Sequence, residues 1–163
     1  MDAVTSWLPP LFLRLAPWLA VRGSGGDLRT FFYQIREHER NLRRRASGRP
    51  FSGAQAAGRG LDPARTYRLA LAVIAMGGAN SADIAQEVHE AILRAGDALD
   101  EDVLLVYGRP LPSGSLLLGI YLDDFGVVHI ARRSLAALPT GPDADLVHRI
   151  HRAYDLFNVP PGS

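Results

Sequence analysis

The stretch of residues 115–130, SLLLGIYLDDFGVVHI, restricts the fold more than any other part of the sequence. Two apolar, β-prone runs flank the adjacent pair Asp123 and Asp124, and such runs around a short polar turn predict a β-hairpin. Hairpin turns commonly use Asn-Gly or Asp-Gly, whereas Asp-Asp places two like charges side by side. Carboxylates at the tip of a rigid hairpin are oxygen ligands that suit Mg²⁺. The alternative is a solvated acidic turn, because turns favour Asp.

The composition indicates a globular chain without thiol or lysine chemistry. Its 163 residues, 47% of them hydrophobic, are enough for one ordinary domain with a buried core. The net charge of +1 argues against a protein that coats nucleic acid generally, although local basic patches are compatible with it. The sequence has no cysteine, which excludes disulfides and thiolate metal sites. It also has no lysine for Schiff-base, phosphate-loop or general-acid chemistry, since all 18 Lys or Arg positions are Arg.

The N-terminal part is apolar but interrupted by Pro9, Pro10, Arg14 and Pro17. A secretory signal has a basic start and an unbroken apolar core, and a membrane span needs about 20 apolar residues. We therefore expect an intracellular protein with no signal peptide and no membrane contact. Residues 23–26, GSGG, predict a flexible joint. The sequence thus divides into an apolar segment with its joint, residues 1–26, and a domain, residues 27–163.

Two strings resemble motifs of reverse transcriptases. YLDD resembles motif C, the Tyr-x-Asp-Asp signature of the polymerase palm, and DLRTFFYQI, which begins at Asp27, resembles motif A of retroelement enzymes. In that family the motif A Asp binds metal and an aromatic residue, here Phe32, lies under the incoming sugar as a steric gate. Taken alone, Asp27 after glycines more commonly caps a following helix. GSGG stands where the family has an apolar strand, so we expect the strand that carries Asp27 to be short or frayed.

A third string combines a buried strand, residues 67–75, with a Gly-rich turn and an amphipathic helix. It resembles motif B, and the matching residues are Met76, Gly77, Asn80 and Ser81, with Ala82 where the family usually has Pro. Asn80 or Ser81 is the expected N-cap. The expected inner face of the helix is Ile84, Val88, Ile92 and Leu93. His89 is expected to be an ordinary helix residue.

The remaining chain adds a basic stretch and a final helix. Residues 36–50 predict a helical stretch rich in arginine, either a solvated face or a set of contacts to template phosphates. Residues 143–157 predict an amphipathic helix, which resembles the helix that follows motif C in the family. Its expected inner face is Leu146, Ile150, Tyr154 and Phe157. His148 and His151 are expected to face outwards.

The three motifs in order imply an α+β fold, a polymerase palm-like antiparallel sheet with helices packed on one face and the motif C hairpin at its centre. The implied activity is that of an RNA-directed DNA polymerase, carrying out two-metal nucleotidyl transfer with two Mg²⁺ or Mn²⁺ ions. The implied catalytic and metal-binding residues are Asp27, Asp123 and Asp124. The implied nucleotide-binding residues are Phe32, Met76, Gly77 and Tyr121, and the implied template contacts are Arg43, Arg44, Asn80 and Ser81. The implied partners are an RNA or DNA template-primer and a dNTP.

The same resemblance predicts that the palm is partial, with fingers and thumb missing or supplied in trans. We expect a fragment or degenerate copy from a retroelement polyprotein, weak or inactive as an isolated chain. The competing prediction is a non-catalytic, palm-derived module that binds nucleic acid or protein. An RNA-binding sheet uses exposed aromatic residues on its strands, and the sequence predicts no such pair. A palm-like nucleotide cyclase is a third alternative, which the match to motif B disfavours.

Overall fold

The computed structural model describes residues 15–56 and 58–162, which form two compact units. The first unit contains the described residues up to Arg29 and those from Asp83 onward, and the second unit is Thr30–Ala82. Residues 1–14 of the predicted apolar segment lie outside the described residues. In the described part of the chain, no helix has the length and apolar character needed to cross a membrane.

The described residues form a mixed α+β structure with antiparallel sheets, which confirms the predicted class. In chain order the elements are β1 (Leu19–Asp27), α1 (Phe31–Gln34), α2 (Glu39–Leu42), β2 (Ala46–Ser52), β3 (Thr66–Ala70), α3 (Ser81–Ala95), β4 (Leu116–Tyr121), β5 (Asp124–Arg132) and α4 (Pro142–Leu156). β1, β5 and β4 make a three-stranded sheet in that order, and β2 and β3 make a separate two-stranded sheet.

The first unit is built on the predicted hairpin, β4–β5, to which β1 adds an antiparallel strand. Side chains alternate between the two faces of a strand, and Ile120, Phe125 and Val127 are buried on one face. Helix α4 packs against β5 and β1 and contributes the buried residues Leu146 and Ile150. Burying each aliphatic side chain of this size stabilises the fold by about 1.5–3 kcal/mol. The predicted central position is correct only for β5, which is the middle strand, whereas β4 is an edge strand of this sheet.

The glycine-rich segment before Asp27 is not a joint. β1 is a nine-residue strand, LAVRGSGGD, that pairs with β5 as far as Asp27. The prediction of a flexible joint and a frayed strand was therefore wrong. Main-chain hydrogen bonds to β5 hold the glycines extended, and the sheet leaves little room for side chains at two of them. A Cβ on Gly25 would lie 2.9 Å from the Phe125 carbonyl oxygen, and one on Gly26 would lie 2.8 Å from the Phe125 ring.

Both predicted long helices of the sequence are present, with small shifts of the inner face. α4 starts at Pro142 with two acidic residues in its first turn, a favourable N-terminus, but Phe157 beyond its end is exposed. In α3 the predicted inner residue Ile84 is exposed, and the buried positions include Ala85, His89, Ile92 and Leu93. The buried face of α3 therefore contains the polar residue His89, which a prediction from apolar residues alone does not include.

The second unit contains the short elements α1, α2, β2 and β3. The predicted helical stretch of residues 36–50 ends in a 3-10 turn at Arg43–Arg45 and is followed directly by β2, so its last part was wrongly predicted. β3 is shorter than predicted and mostly exposed rather than buried. Its apolar run pairs with a single neighbouring strand, β2, and Leu69 is 69% exposed.

Candidate active site

The hairpin turn lies one residue earlier than the sequence suggests. Tyr121 and Asp124 form the last pair of the β4–β5 ladder, so the turn residues are Leu122 and Asp123 rather than the two aspartates. Leu122 has a positive φ of 54°, a backbone conformation that a branched residue rarely adopts. Asp124 is consequently the first residue of β5 and has a fixed place in the sheet.

That place brings the predicted motif A and motif C aspartates together. Asp27, the last residue of β1, is the direct antiparallel partner of Asp124. Residues directly opposite in such a ladder share one face of the sheet with Cβ atoms about 4.5–5.5 Å apart. Tyr121 pairs with Asp124 from the other side, so Asp27, Asp124 and Tyr121 form a row across the three strands. The main chain of Asp123 is held at this corner of the sheet, which is formed by the end of β1, the hairpin turn and the start of β5. Its carbonyl accepts a hydrogen bond from the Leu28 amide at 2.8 Å.

The three aspartates form a corner of uncompensated negative charge. Partial burial raises the pKa of Asp124, and the charges of Asp123 and Asp27 raise it further. Within residues 15–56 and 58–162, no ion pair involves any of the three carboxylates. Like charges directly opposite in a sheet are destabilising, so the arrangement costs stability and is open to a cation.

The three carboxylates do not converge on one point. Among the described residues, no group of three His, Cys, Asp or Glu side chains has an arrangement that could hold a metal ion. The Asp27 carboxylate lies directly against Gly162 of the C-terminal segment, where an added Cβ would overlap it. The Gly162 amide also donates to the Asp27 carbonyl at 2.7 Å. The donor chemistry fits a divalent cation, and binding one would require side-chain rotation at this corner.

Helix α3 holds the hairpin turn by both main-chain groups of Leu122. The Leu122 amide donates to Gln86 Oε1 at 2.8 Å, and the Leu122 carbonyl lies 2.7 Å from His89 Nδ1. Gln86 Nε2 also donates to the Ile120 carbonyl at 3.2 Å, so one side chain spans the end of β4. The unusual conformation of the turn is thus supported from outside the hairpin.

His89 is in turn held by Tyr154 of α4. The Tyr154 hydroxyl lies 2.7 Å from His89 Nε2, and both residues are almost fully buried. Burial lowers the pKa of His89 and raises the pKa of Tyr154. Because a carbonyl can only accept, Nδ1 carries the proton that bonds to Leu122, and in the neutral ring Nε2 accepts from Tyr154.

The sequence reasoning missed Gln86, His89 and Tyr154 as parts of the site. Tyr154 was predicted only as a core residue, and His89 only as an ordinary helix residue. A usable signal exists in the spacing: Gln86 and His89 interrupt the face that also carries Ala85 and Ile92. Polar residues on a buried helix face need hydrogen-bond partners, and here those partners lie in the turn.

The other predicted site residues belong to the second unit. Phe32 and Ser81 are buried there, and Ser81 begins α3. Met76 is 66% exposed, Gly77 has a φ of 82° in the turn before α3, and Asn80 is exposed. Arg43 and Arg44 are exposed in the 3-10 turn at the end of α2. The predicted nucleotide and template residues of this unit therefore include both surface and buried positions.

Comparison with protein-family models, with curated proteins and with solved structures gives no match to this chain. The functional assignment thus depends on the geometry of the corner formed by β1, the hairpin turn and β5.

Proposed function

We propose that the first unit is the catalytic part of a reverse transcriptase palm, an RNA-directed DNA polymerase module for two-metal nucleotidyl transfer. The observation that carries the proposal is the pairing of Asp27 with Asp124, because it joins two motifs that were picked out separately in the sequence. A solvated acidic turn gives no reason for a third carboxylate from a different strand to lie opposite it. The charge at this corner also lacks an ion-pair partner among the described residues.

The donor set is the kind that Mg²⁺ or Mn²⁺ binds, since both prefer carboxylate oxygens. Asp27 and Asp123 would hold the ions, with Asp124 in support. When bound, the ions supply Lewis-acid activation of a primer 3′-hydroxyl and neutralisation of charge on a dNTP triphosphate.

The protein's own contribution is to fix the carboxylates. β1 and β5 set the separation of Asp27 and Asp124 through main-chain pairing, and Gln86 Oε1 accepts a hydrogen bond from the amide of Leu122, the turn residue that precedes Asp123. Tyr121 lies on the same face as Asp27 and Asp124 and would border a bound nucleotide. The Asp27 side chain would leave Gly162 to reach a shared cation.

Binding of Mn²⁺ tests the proposal, read as paramagnetic broadening of backbone amide signals. In the wild-type chain we expect broadening centred on residue 27 and residues 121–125, reversed by excess Mg²⁺. In Asp27→Asn the broadening should be lost at both places, because one ligand of a shared site is gone. The matched control is Asp145→Asn, which removes an exposed carboxylate from the first turn of α4 and should leave the broadening unchanged.

Broadening that is confined to the hairpin, or that survives Asp27→Asn, would overturn the shared metal site. The non-catalytic, palm-derived binding module would then be the better account, consistent with the contact between Asp27 and Gly162. In that case Asp123→Asn should leave nucleic-acid or protein binding intact or improve it.

A further inference from the structure

The buried His89 has no role in the proposed chemistry, although it lies at the centre of a hydrogen-bonded chain that ends at the hairpin turn. The chain runs from the Tyr154 hydroxyl through the His89 ring to the Leu122 carbonyl, with both links at 2.7 Å. His89 is 0% exposed and Tyr154 is 1% exposed. A pair this deeply buried does not touch a substrate, so any effect on function must act through the turn.

The turn needs such support because its own sequence does not favour its shape. Leu122 has a φ of 54°, where glycine or asparagine is the usual choice for the first residue of a two-residue hairpin turn. A branched residue at positive φ is strained and persists only when its surroundings fix it. Both main-chain hydrogen-bonding groups of Leu122 are held by α3, the amide by Gln86 and the carbonyl by His89.

The consequence falls on the neighbouring aspartates. A change in the backbone of Leu122 moves Asp123, which follows it directly, and disturbs the Tyr121–Asp124 pair that closes the ladder. We propose that His89, braced by the Tyr154 hydroxyl, is a positioning residue that holds the turn in the conformation in which Asp124 pairs with Asp27 and the Asp123 carbonyl accepts from the Leu28 amide. The inference rests on the proposed function for the role of these aspartates, but the hold on Leu122 is independent of any metal.

Two substitutions of His89 separate positioning from stability. His89→Leu fills a similar volume and removes the donor to Leu122, whereas His89→Asn keeps a side-chain N–H near the Nδ1 position but leaves a cavity. By packing alone, the leucine variant should have the higher melting temperature, because cavities destabilise buried sites. By positioning, the asparagine variant should hold the turn better. We therefore expect His89→Leu to have the higher melting temperature and His89→Asn to hold the turn more firmly.

The first measurement is hydrogen exchange of the Leu122 amide without metal, compared with the Ile130 amide, which donates to the Ser115 carbonyl at 2.7 Å at the other end of the hairpin. In His89→Leu, exchange at Leu122 should rise by about tenfold relative to Ile130, the effect of roughly one net hydrogen bond. In His89→Asn the rise should be several times smaller. Equal exchange at Leu122 in wild type and His89→Leu would overturn the positioning role.

The second measurement is the dissociation constant for Mn²⁺ from amide broadening. It should rise about tenfold in His89→Leu and less in His89→Asn, against the order of their melting temperatures. If both variants lose affinity in proportion to melting temperature, His89 is only a core residue and the inference fails. If wild type binds no Mn²⁺, the proposed function fails, and the exchange data alone decide whether His89 holds the turn.

Discussion

The two ends of the three-stranded sheet differ in whether their carboxylates have ion-pair partners. At the hairpin end, Asp27 and Asp124 lie opposite each other with no ion pair in the described ranges 15–56 and 58–162. Towards the other end, the single carboxylate of Asp143 is 2% exposed and is matched by two basic side chains of the sheet. Arg22 Nε lies 2.9 Å and His129 Nδ1 3.0 Å from its two oxygens.

The difference separates a structural charge from the charge that we propose to be functional. Arg22 and His129 are cross-strand partners on β1 and β5, so Asp143 fixes the start of α4 to both strands at once. Such a buried, fully partnered cluster keeps its geometry without any ligand. The aspartates at the hairpin end gain nothing from one another, and only a cation would turn their mutual repulsion into attraction.

The largest effect is expected from Asp143→Asn, which keeps the side-chain shape and leaves Arg22 without its counter-charge. Removing one partner of a buried pair typically costs about 3–5 kcal/mol, and the free energy of unfolding should fall by an amount of that order in urea denaturation. Asp145→Asn, an exposed change in the same helical turn, should stay within about 0.5 kcal/mol of wild type. Equal losses in the two variants would mean that the Asp143 cluster contributes nothing beyond a surface carboxylate.

An intermediate effect is expected from the titration of His89. Burial lowers its pKa in the folded state below the ordinary value of 6.5, so in acid the unfolded chain takes up the proton more readily. Its contribution to stability is complete above the unfolded pKa and is lost as pH falls through the folded pKa. One proton limits the slope to about 1.4 kcal/mol per pH unit.

The measurement is the difference in unfolding free energy between wild type and His89→Leu across pH 7.5 to 5, a range that spans the ordinary histidine pKa of about 6.5. This difference should shrink as the solution becomes more acidic, because the leucine variant lacks the titrating group. A constant difference over the range would show that His89 titrates alike in both states. The two histidine sites differ in their partners. His89 is bonded to a carbonyl and a hydroxyl, whereas His129 is bonded to a carboxylate.

Local sequence pattern was sufficient to predict the elements that are defined by apolar periodicity along the chain. The hairpin, α3 and α4 follow from apolar periodicity, and each was placed within a few residues. The misplaced turn has a longer-range cause, because local turn chemistry favours Asp over Leu at positive φ, and Gln86 and His89 override it from α3.

The prediction of a flexible joint at residues 23–26 was wrong for a similar reason. Glycines predict flexibility when the chain is considered alone, yet the pairing of β1 with β5 requires small residues where the Phe125 ring and carbonyl come close. The candidate site was predicted only as far as the aspartates themselves. Their meeting depends on register, and the support from His89 and Tyr154 depends on packing between α3 and α4, neither of which a motif encodes.

The smallest expected effect is also the one that reverses sign. In a chelator, Asp124→Asn removes a like charge from opposite Asp27 and should raise the free energy of unfolding slightly, by a few tenths to about 1 kcal/mol. With Mn²⁺ well above its dissociation constant the order should invert, since a bound ion stabilises wild type by RT ln(1 + [L]/Kd), about 2.7 kcal/mol at a hundredfold excess. Thermal unfolding in both conditions, with Asp145→Asn as the control that should not respond, measures the two differences. A variant that is less stable than wild type already in chelator would place Asp124 with Asp143 among the structural charges, and the contrast between the two ends of the sheet would be lost.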